Sequence, residues 1–487
     1  MKRAAIVGAG IGGLTSALLL NKQGWDVTVY ERGSRVGGRI GYEQEGDYRI
    51  DQGPTIVLLP EMLLGILEEA GVDRSKVELL RCDPLYRVHY SSGRVMTKMT
   101  ERKQQAEEIE RLFPGESQGF SKFMNDMDTL FPAGRAAFLE RAFPRKRDFF
   151  TPSLMSLMGR LRAHKSVRKA VGDYFQHEEL LDAYSLQSLY IGGSPFGTPG
   201  IYSLLPYAEH EYGIWMVKGG YAALPAILEQ ELISRGGRVV LNSEVTGLNI
   251  EKGICKGIET AAGAENVDAV IYNGDFPHLS SLLGQSPEGS RKRKPYRPSS
   301  GCVLIYVGVD KTWEDATTHQ FFLPPSLDGS LREVFDQRRI PAKSSFYIFN
   351  PAALDETAAP PGQSVLYFLI PVPDADGVNW SQESEALAER VLEEAEQRGF
   401  PGLRAAIQWQ KIRTPADAER DGLYGGGSFG IAPVLFQSGV YRPQPKPFPA
   451  IRGLYAAGAS VHPGGGVPIV MQSARMAVNQ LIKEMET

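Results

Sequence analysis

The stretch IVGAGIGGL at residues 6–14 constrains the fold more than any other. The run RAAIVGAG reads as a buried parallel strand that ends abruptly in glycine. IGGLTSALLLNKQG then has helical spacing and stops at Gly24, and DVTVYER alternates as a second strand. A strand, glycine turn, helix and strand in this order open a doubly wound α/β sheet. Gly8 permits the tight bend, Gly10 lets backbone N–H groups approach a pyrophosphate, and Gly13 lets the helix pack close to the strand. Ile11 and Gly12 enter the helix, whose N-terminus adds partial positive charge where phosphates sit. Glu31 ends the second strand, where a carboxylate accepts hydrogen bonds from ribose hydroxyls and repels a 2′-phosphate. In that context the glycines imply a bound dinucleotide rather than a bare turn.

The totals bound the remaining possibilities. A chain of 487 residues has the length of about three domains, though interleaved segments can make fewer. A net charge of −4 gives no general attraction to nucleic acid. Cys82, Cys255 and Cys302 are odd in number, far apart and without zinc spacing, so neither a disulfide framework nor a metal site is expected. Lys2, Arg3 and the apolar run behind them mimic a signal peptide, but glycines interrupt the run and a second strand follows directly. No uninterrupted apolar stretch is long enough to span a bilayer, which leaves surface association open.

From 219 to 273 the pattern returns to a helix (GGYAALPAILEQELISRGG) and strands, ending in the buried VDAVIYNGD. GCVLIYVGV, FYIFN and SVLYFLIPV read as further strands, and SQESEALAERVLEEAEQRG as a helix. GGGSFG (425–430) also fits GxGxxG, but charged PADAERDG precedes it and Pro433 stands where a helix should begin. It reads as a loop, so no second fold for NADPH is expected. From Arg135 to Lys169 ten basic residues face only Glu140 and Asp148, interleaved with Phe138, Phe143, Phe149, Phe150, Met155 and Met158. That composition suits an anionic lipid surface or, equally, a solvated helix whose apolar face is core. The basic run 291–298 reads as a linker.

A second glycine-dense stretch lies near the other end, GLYAAGASVHPGGGVPIVM (453–471). GLYAAG reads as a short buried strand, and glycines 464–466 lead into a long helix whose first turn again offers N–H groups to negative charge. ERGSRVGGRI, with Gly37, Gly38 and Arg39, resembles an extension found in the flavin-dependent amine oxidase and carotenoid desaturase superfamily. DQGPTIV (51–57) resembles that superfamily's segment beside the flavin ring. With the block 186–221 and HPGGGVP (462–468), nearly the whole chain resembles the bacterial-type phytoene and diapophytoene desaturases, nearest to those acting on C30 precursors. Amine oxidases usually place a glutamate after the glycine of the preceding strand, where Ala459 stands here.

The resemblance implies an α/β, Rossmann-like FAD-binding domain in a two-domain flavoprotein. That domain would comprise 1–75, 219–290 and 447–487, the substrate domain 76–100, 186–218 and 291–446, and a helical, membrane-contacting insertion 101–185. FAD contacts are expected from the leading glycines, Glu31 with Arg32, Gly37–Arg39, Gly53, Pro54, Thr55, Val245, Gly458, Ala459, Gly466, Val467, Pro468 and Ile469. The two glycine stretches would then be two sides of one site. The implied reaction removes hydride and proton from a C30 carotenoid precursor, 4,4′-diapophytoene, to extend its polyene. His462, and less directly Lys165, are candidates to accept the proton, and Tyr207, Tyr212 or Trp215 to stabilise an allylic cation. Terminal-methyl oxidation of a diapo-carotenoid, C40 phytoene desaturation, polyene isomerisation and non-catalytic lipid binding on the same fold are the alternatives. A water-insoluble substrate implies a cytoplasmic enzyme bound peripherally to the inner face of the cell membrane, with oxygen or a quinone taking the electrons.

Overall fold

The computed structural model describes residues 1–284 and 295–486. The first four residues of the basic run 291–298, and the expected boundary at 290, lie outside the described residues.

Five parallel strands stand in the order Leu454–Ala456, Ala269–Tyr272, Arg3–Val7, Asp26–Tyr30 and Arg238–Val240. Ile6 lies beside Ile271 on one side and Val29 on the other. Because both faces of this sheet are covered, its central strands read as unbroken apolar runs rather than alternating ones. The helix Ile11–Lys22 follows the first strand and is buried from Ile11 to Leu20. It lies against the tail helix Val467–Met485 and the helix Ala223–Ser234, which is why it is apolar all round. Thr15 and Ser16 remain tolerable there because their hydroxyls donate to the carbonyls of Ile11 and Gly12, at 2.7 and 2.8 Å. The two ends of the chain therefore meet twice, helix on helix and as strands of one sheet. All five strands come from 1–75, 219–290 and 447–487.

A seven-stranded sheet makes the second layer system. Its order is Ile407–Arg413, Gly301–Val309, Ser364–Val372, Phe346–Phe349, His319–Phe322, Tyr86–His89 and Val95–Lys98. Neighbours are antiparallel except His319–Phe322 with Tyr86–His89. Alternation along Gly301–Val309 decides what each face meets. Val303, Ile305 and Val307 pack with Leu387, Val391 and Leu392 of the helix Trp380–Arg398. Leu304 and Tyr306 point the other way, toward the main core.

The segment 101–185 is helical, led by Arg102–Leu112 and Ser117–Gly134. Its aromatic run is mostly internal. Phe143, Phe149 and Leu154 form a small core of their own, backed by Phe138, Leu157 and Met158. Phe150 and Met155 alone among these residues are large and exposed, at 48% and 37%. Several of its cations are also matched, Arg162 and Lys165 by Asp173, and Arg168 by Asp182 and Glu178. Among the described residues no helix is long and apolar enough to cross a membrane.

Candidate cofactor and substrate site

One cavity of about 1680 Å³ runs from the carboxyl ends of the parallel strands into the space beneath the seven-stranded sheet. Single small-molecule sites occupy roughly 300–1,000 Å³. This one has room for a dinucleotide and a second, elongated ligand. Ligands of open α/β sheets bind beyond the carboxyl ends of the strands. Here those ends supply Gly8, Glu31, Asn273 and Gly458 to the lining.

At the dinucleotide end the backbone is shaped by absent side chains. Gly8 has φ +99°, and a Cβ on Gly13 would fall 2.0 Å from the Gly8 carbonyl oxygen. Gly13 does not line the cavity; it works by allowing that approach. The N–H of Gly37 donates to the Ala9 carbonyl at 2.9 Å, so the Gly37–Gly38 turn closes over the first glycine loop. Each oxygen of Glu31 accepts one backbone N–H at 2.8 Å, from Ala9 and from Gly33. The carboxylate is thereby oriented and keeps lone pairs for hydroxyl donors. Both helix starts reach this cavity, through Gly10–Gly12 and through Gly466–Ile469. Neither helix has a side-chain cap or an acidic residue in its first turn, which leaves N–H groups for a ligand's negative charge. Arg32, Gly37, Gly38, Gly53, Pro54, Thr55, Val245 and Ala459 line the same cavity. These donors and glycine cradles fit FAD.

A half-exposed Arg39 pairs with the buried Asp275, a partner that no sequence motif announces. Arg39 Nη2 lies 2.9 Å from Asp275 Oδ2, which also accepts the Tyr424 N–H at 2.9 Å, while Ser460 donates to Oδ1. Burial alone would raise the Asp275 pKa. Arg39, the Ser460 hydroxyl and the Tyr424 N–H outweigh it and hold the carboxyl below the usual range. Arg39, one of the expected FAD contacts, shares its charge with Asp275 and with the Ser428 carbonyl at 3.2 Å. The signal that could have found Asp275 is its place, just past a buried parallel strand. The loop 425–430 has no strand before it or helix after it, as expected, but Ser428 and Phe429 form cavity wall.

Beyond the ion pair the lining turns apolar, with Phe131, Phe138, Leu189, Tyr190, Leu204 and Phe321 prominent. Tyr207, Tyr212 and Trp215 are not part of it. Tyr207 turns away to donate to Asp128 at 2.9 Å, and Trp215 donates to the Tyr212 carbonyl at 2.8 Å. The tyrosines Tyr190 and Tyr347 do line it. Tyr190 donates to Glu209 at 2.8 Å, and Tyr347 bridges Thr55 at 2.7 Å and His319 at 2.6 Å.

His462 does line the cavity. It is 2% exposed, its Nε2 faces the Arg141 carbonyl at 2.9 Å, and burial depresses its pKa to about 4. A carbonyl only accepts, so Nε2 carries the proton and Nδ1 holds a lone pair. The ring is a neutral acceptor and too weak a base to hold a full proton at neutral pH. Lys165 is not brought to the cavity; its ammonium lies 2.8 and 2.9 Å from the Asp173 oxygens. Arg442, also missed, lines the cavity at 4% exposure. Its guanidinium is held by the carbonyls of Gln437, Ile431 and Ala459, and burial lowers its pKa.

The fold and this site define an FAD-dependent oxidoreductase. The chain belongs to the flavin-containing amine oxidoreductase family, whose model matches residues 11–482, and within it to the bacterial carotenoid desaturases. It is 46% identical to a 4,4′-diapolycopen-4-al dehydrogenase of Metabacillus indicus, over 99% of this chain and 97% of that one. It is 32% identical to a 4,4′-diapophytoene desaturase (4,4′-diapolycopene-forming) of Methylomonas sp, over 98% and 94%. Cyclohexylamine oxidase from Brevibacterium oxydans IH-35A shares the fold with a TM-score of 0.65 at 14% identity, each chain covered completely.

Proposed function

We propose that this flavoenzyme oxidises the end of a C30 carotenoid polyene, converting a terminal aldehyde to the acid with water supplying the oxygen. The observation that carries the reading is one continuous cavity with a dinucleotide cradle, polar buried groups beside it, and an apolar channel beyond. A polyene lies in the channel with its end at the cradle, and the polar groups meet oxygen there rather than CH₂. The relative at 46% identity is named for an aldehyde of this kind, which favours it over chain desaturation. FAD, when bound, supplies the hydride acceptor. The apolar lining excludes water from the conjugated chain, and the Glu31 and Asp275–Arg39 groups hold the cofactor's surroundings in place.

Desaturation is the second reading, favoured by the apolar wall and by the relative at 32% identity. Purified flavoprotein supplied separately with 4,4′-diapolycopen-4-al and 4,4′-diapophytoene separates them. The expected result is gain of one oxygen by the aldehyde and no new double bond in the hydrocarbon, read by mass and absorption. New conjugation in 4,4′-diapophytoene with the aldehyde untouched overturns it.

The same reading puts the channel mouth against an anionic bilayer. Phe150, Leu435, Phe436 and Tyr441 line the cavity and are nonetheless 48%, 45%, 72% and 38% exposed. Lys146 lies 5.7 Å over the Tyr441 ring, at the same rim. An apolar rim with basic neighbours suits transfer of an insoluble polyene from lipid into the channel.

A further inference from the structure

We infer that Tyr190, with Phe321 and Tyr347, forms an aromatic wall that selects a conjugated chain over a partly saturated one, a deepening that rests on the terminal-oxidation reading. That reaction meets a polyene whose conjugation is already complete, whereas a desaturase meets one that is not. All three residues line the cavity and keep open surface there. Tyr190 is partly exposed, and Phe321 and Tyr347 are 8% and 6% exposed, although Gln187, Ser188 and Glu209 are fully enclosed.

The hydroxyls are turned away from the ligand. Tyr190 donates at 2.8 Å to Glu209, a carboxylate with no exposed surface. Glu209 is fixed in turn by the Tyr86 hydroxyl at 2.7 Å, Gln187 at 3.1 Å and the buried Lys98 ammonium at 3.8 Å. The Tyr347 hydroxyl is engaged by Thr55 and by the enclosed His319. With both hydroxyls tied, the rings are what these residues offer to the cavity. Phe321 joins them, its centroid 5.9 Å from that of Tyr190 at 29° and 4.9 Å from that of Tyr347 at 34°. Through Tyr347 the row reaches Thr55, one of the residues expected at FAD, so it flanks the end of the chain that reacts.

An aromatic ring attracts a π face, either edge-on or in offset stacking. A conjugated chain offers that face continuously. A CH₂–CH₂ unit interrupts it, puts hydrogens out of its plane and adds torsions that binding must freeze. Because buried partners hold both tyrosine rings, the wall does not reshape itself around a bent chain.

The test offers holoenzyme equal amounts of 4,4′-diapolycopene and 4,4′-diapophytoene from the same vesicles, with the flavin reduced so that neither hydrocarbon is turned over. Protein is separated from the vesicles, and the bound polyenes are extracted and quantified by absorption. The wild type is expected to hold the conjugated chain in preference. Tyr190→Leu should lower the bound ratio roughly 3- to 10-fold, whereas Tyr190→Phe, which keeps the ring, should stay within about twofold of wild type. No wild-type preference, or a preference that Tyr190→Leu keeps, overturns the wall. So does a fall in Tyr190→Phe as deep as in Tyr190→Leu, because the hydroxyl would then be what meets the ligand. In each of these cases aldehyde oxidation by the wild type leaves the terminal-oxidation reading standing. A wild type that binds both hydrocarbons alike, desaturates 4,4′-diapophytoene once its flavin is oxidised and leaves the aldehyde untouched fells that reading and the wall with it. Where Tyr190→Leu loses its flavin or its fold, Phe321→Leu, expected to show the same fall in the same measurement, decides between these outcomes.

Discussion

The two ends of the cavity are built by opposite means. At the cradle, backbone does the work: glycines, strand exits and two helix starts converge, and few side chains reach inward. At the apolar end, side chains do it, contributed by a helix turn here, a strand there and loops far apart in sequence. A backbone site tolerates almost no added atom, because its neighbours are covalently fixed. A side-chain site yields to substitution but is sensitive to charge and burial.

Substitutions at two glycines test that contrast most sharply. Gly13→Ala would set a Cβ 2.0 Å from the Gly8 carbonyl oxygen and is expected to cost about 3 kcal/mol or more, with loss of bound flavin. Gly159→Ala in the insertion, where nothing lies within 4 Å, should stabilise by up to about 1 kcal/mol. Thermal unfolding and the flavin-to-protein ratio read both. Equal effects at the two sites would erase the distinction.

Next comes the ion pair at the boundary. Asp275→Asn removes the charge from a carboxylate buried to 2% exposure and leaves Arg39 facing neutral partners. A loss of about 3 kcal/mol in denaturant unfolding is expected, together with weaker flavin retention. An unchanged midpoint would mean that Arg39 finds solvent at no cost.

Acid should reach the buried histidines and the buried carboxylates at different pH. Burial lowers the pKa of His89 and His462 to about 4, of His319 to about 3, and of His210 well below 6.5. A depressed folded value means the unfolded chain binds the proton first, so this stability is complete above 6.5 and drains as pH falls toward 4. For His89 and His462 this is worth on the order of 2–3 kcal/mol each by pH 4. Asp275, held below its ordinary 3.8, loses its contribution only as pH falls through that lower range. Asp51 runs the other way, since burial raises it to about 6 and its protonation favours the folded state. Unfolding free energy measured from pH 7 to pH 4 should therefore fall, and His462→Asn should flatten the slope. A slope unaltered by that variant would show His462 already protonated in the fold.

The smallest effect on stability belongs to the rim. Phe436→Ser, at a residue 72% exposed, should move the unfolding free energy by no more than about 0.5 kcal/mol. It should still reduce co-flotation with anionic vesicles. Flotation equal to wild type would detach the rim from any lipid contact.

How much was legible beforehand divides along the same line. The strand–glycine–helix opening, the tail helix entered through glycines, and the alternating strands were readable because short-range spacing dictates backbone geometry. Most of the cavity residues named from motifs, among them Gly8, Gly10, Gly37, Gly38 and Gly466, act through the main chain, whereas Glu31 and Arg39 act through side chains. Tyr207 and Trp215 misled because an aromatic's residue type says nothing about which way its element faces. Lys165 misled because its partner, Asp173, is chosen by the packing of the insertion.

The sequence by itself determined that a dinucleotide would lie beyond a parallel sheet, and that both chain ends would carry ligand-facing glycines. Only the tertiary structure decided that His462 stays neutral, that Asp275 takes the charge of Arg39, and that Arg442 is buried among backbone carbonyls. Backbone conformation follows from neighbours a few residues away. A side chain's ionisation and its unmet hydrogen bonds are sums over everything packed around it, and those neighbours are assembled only by folding.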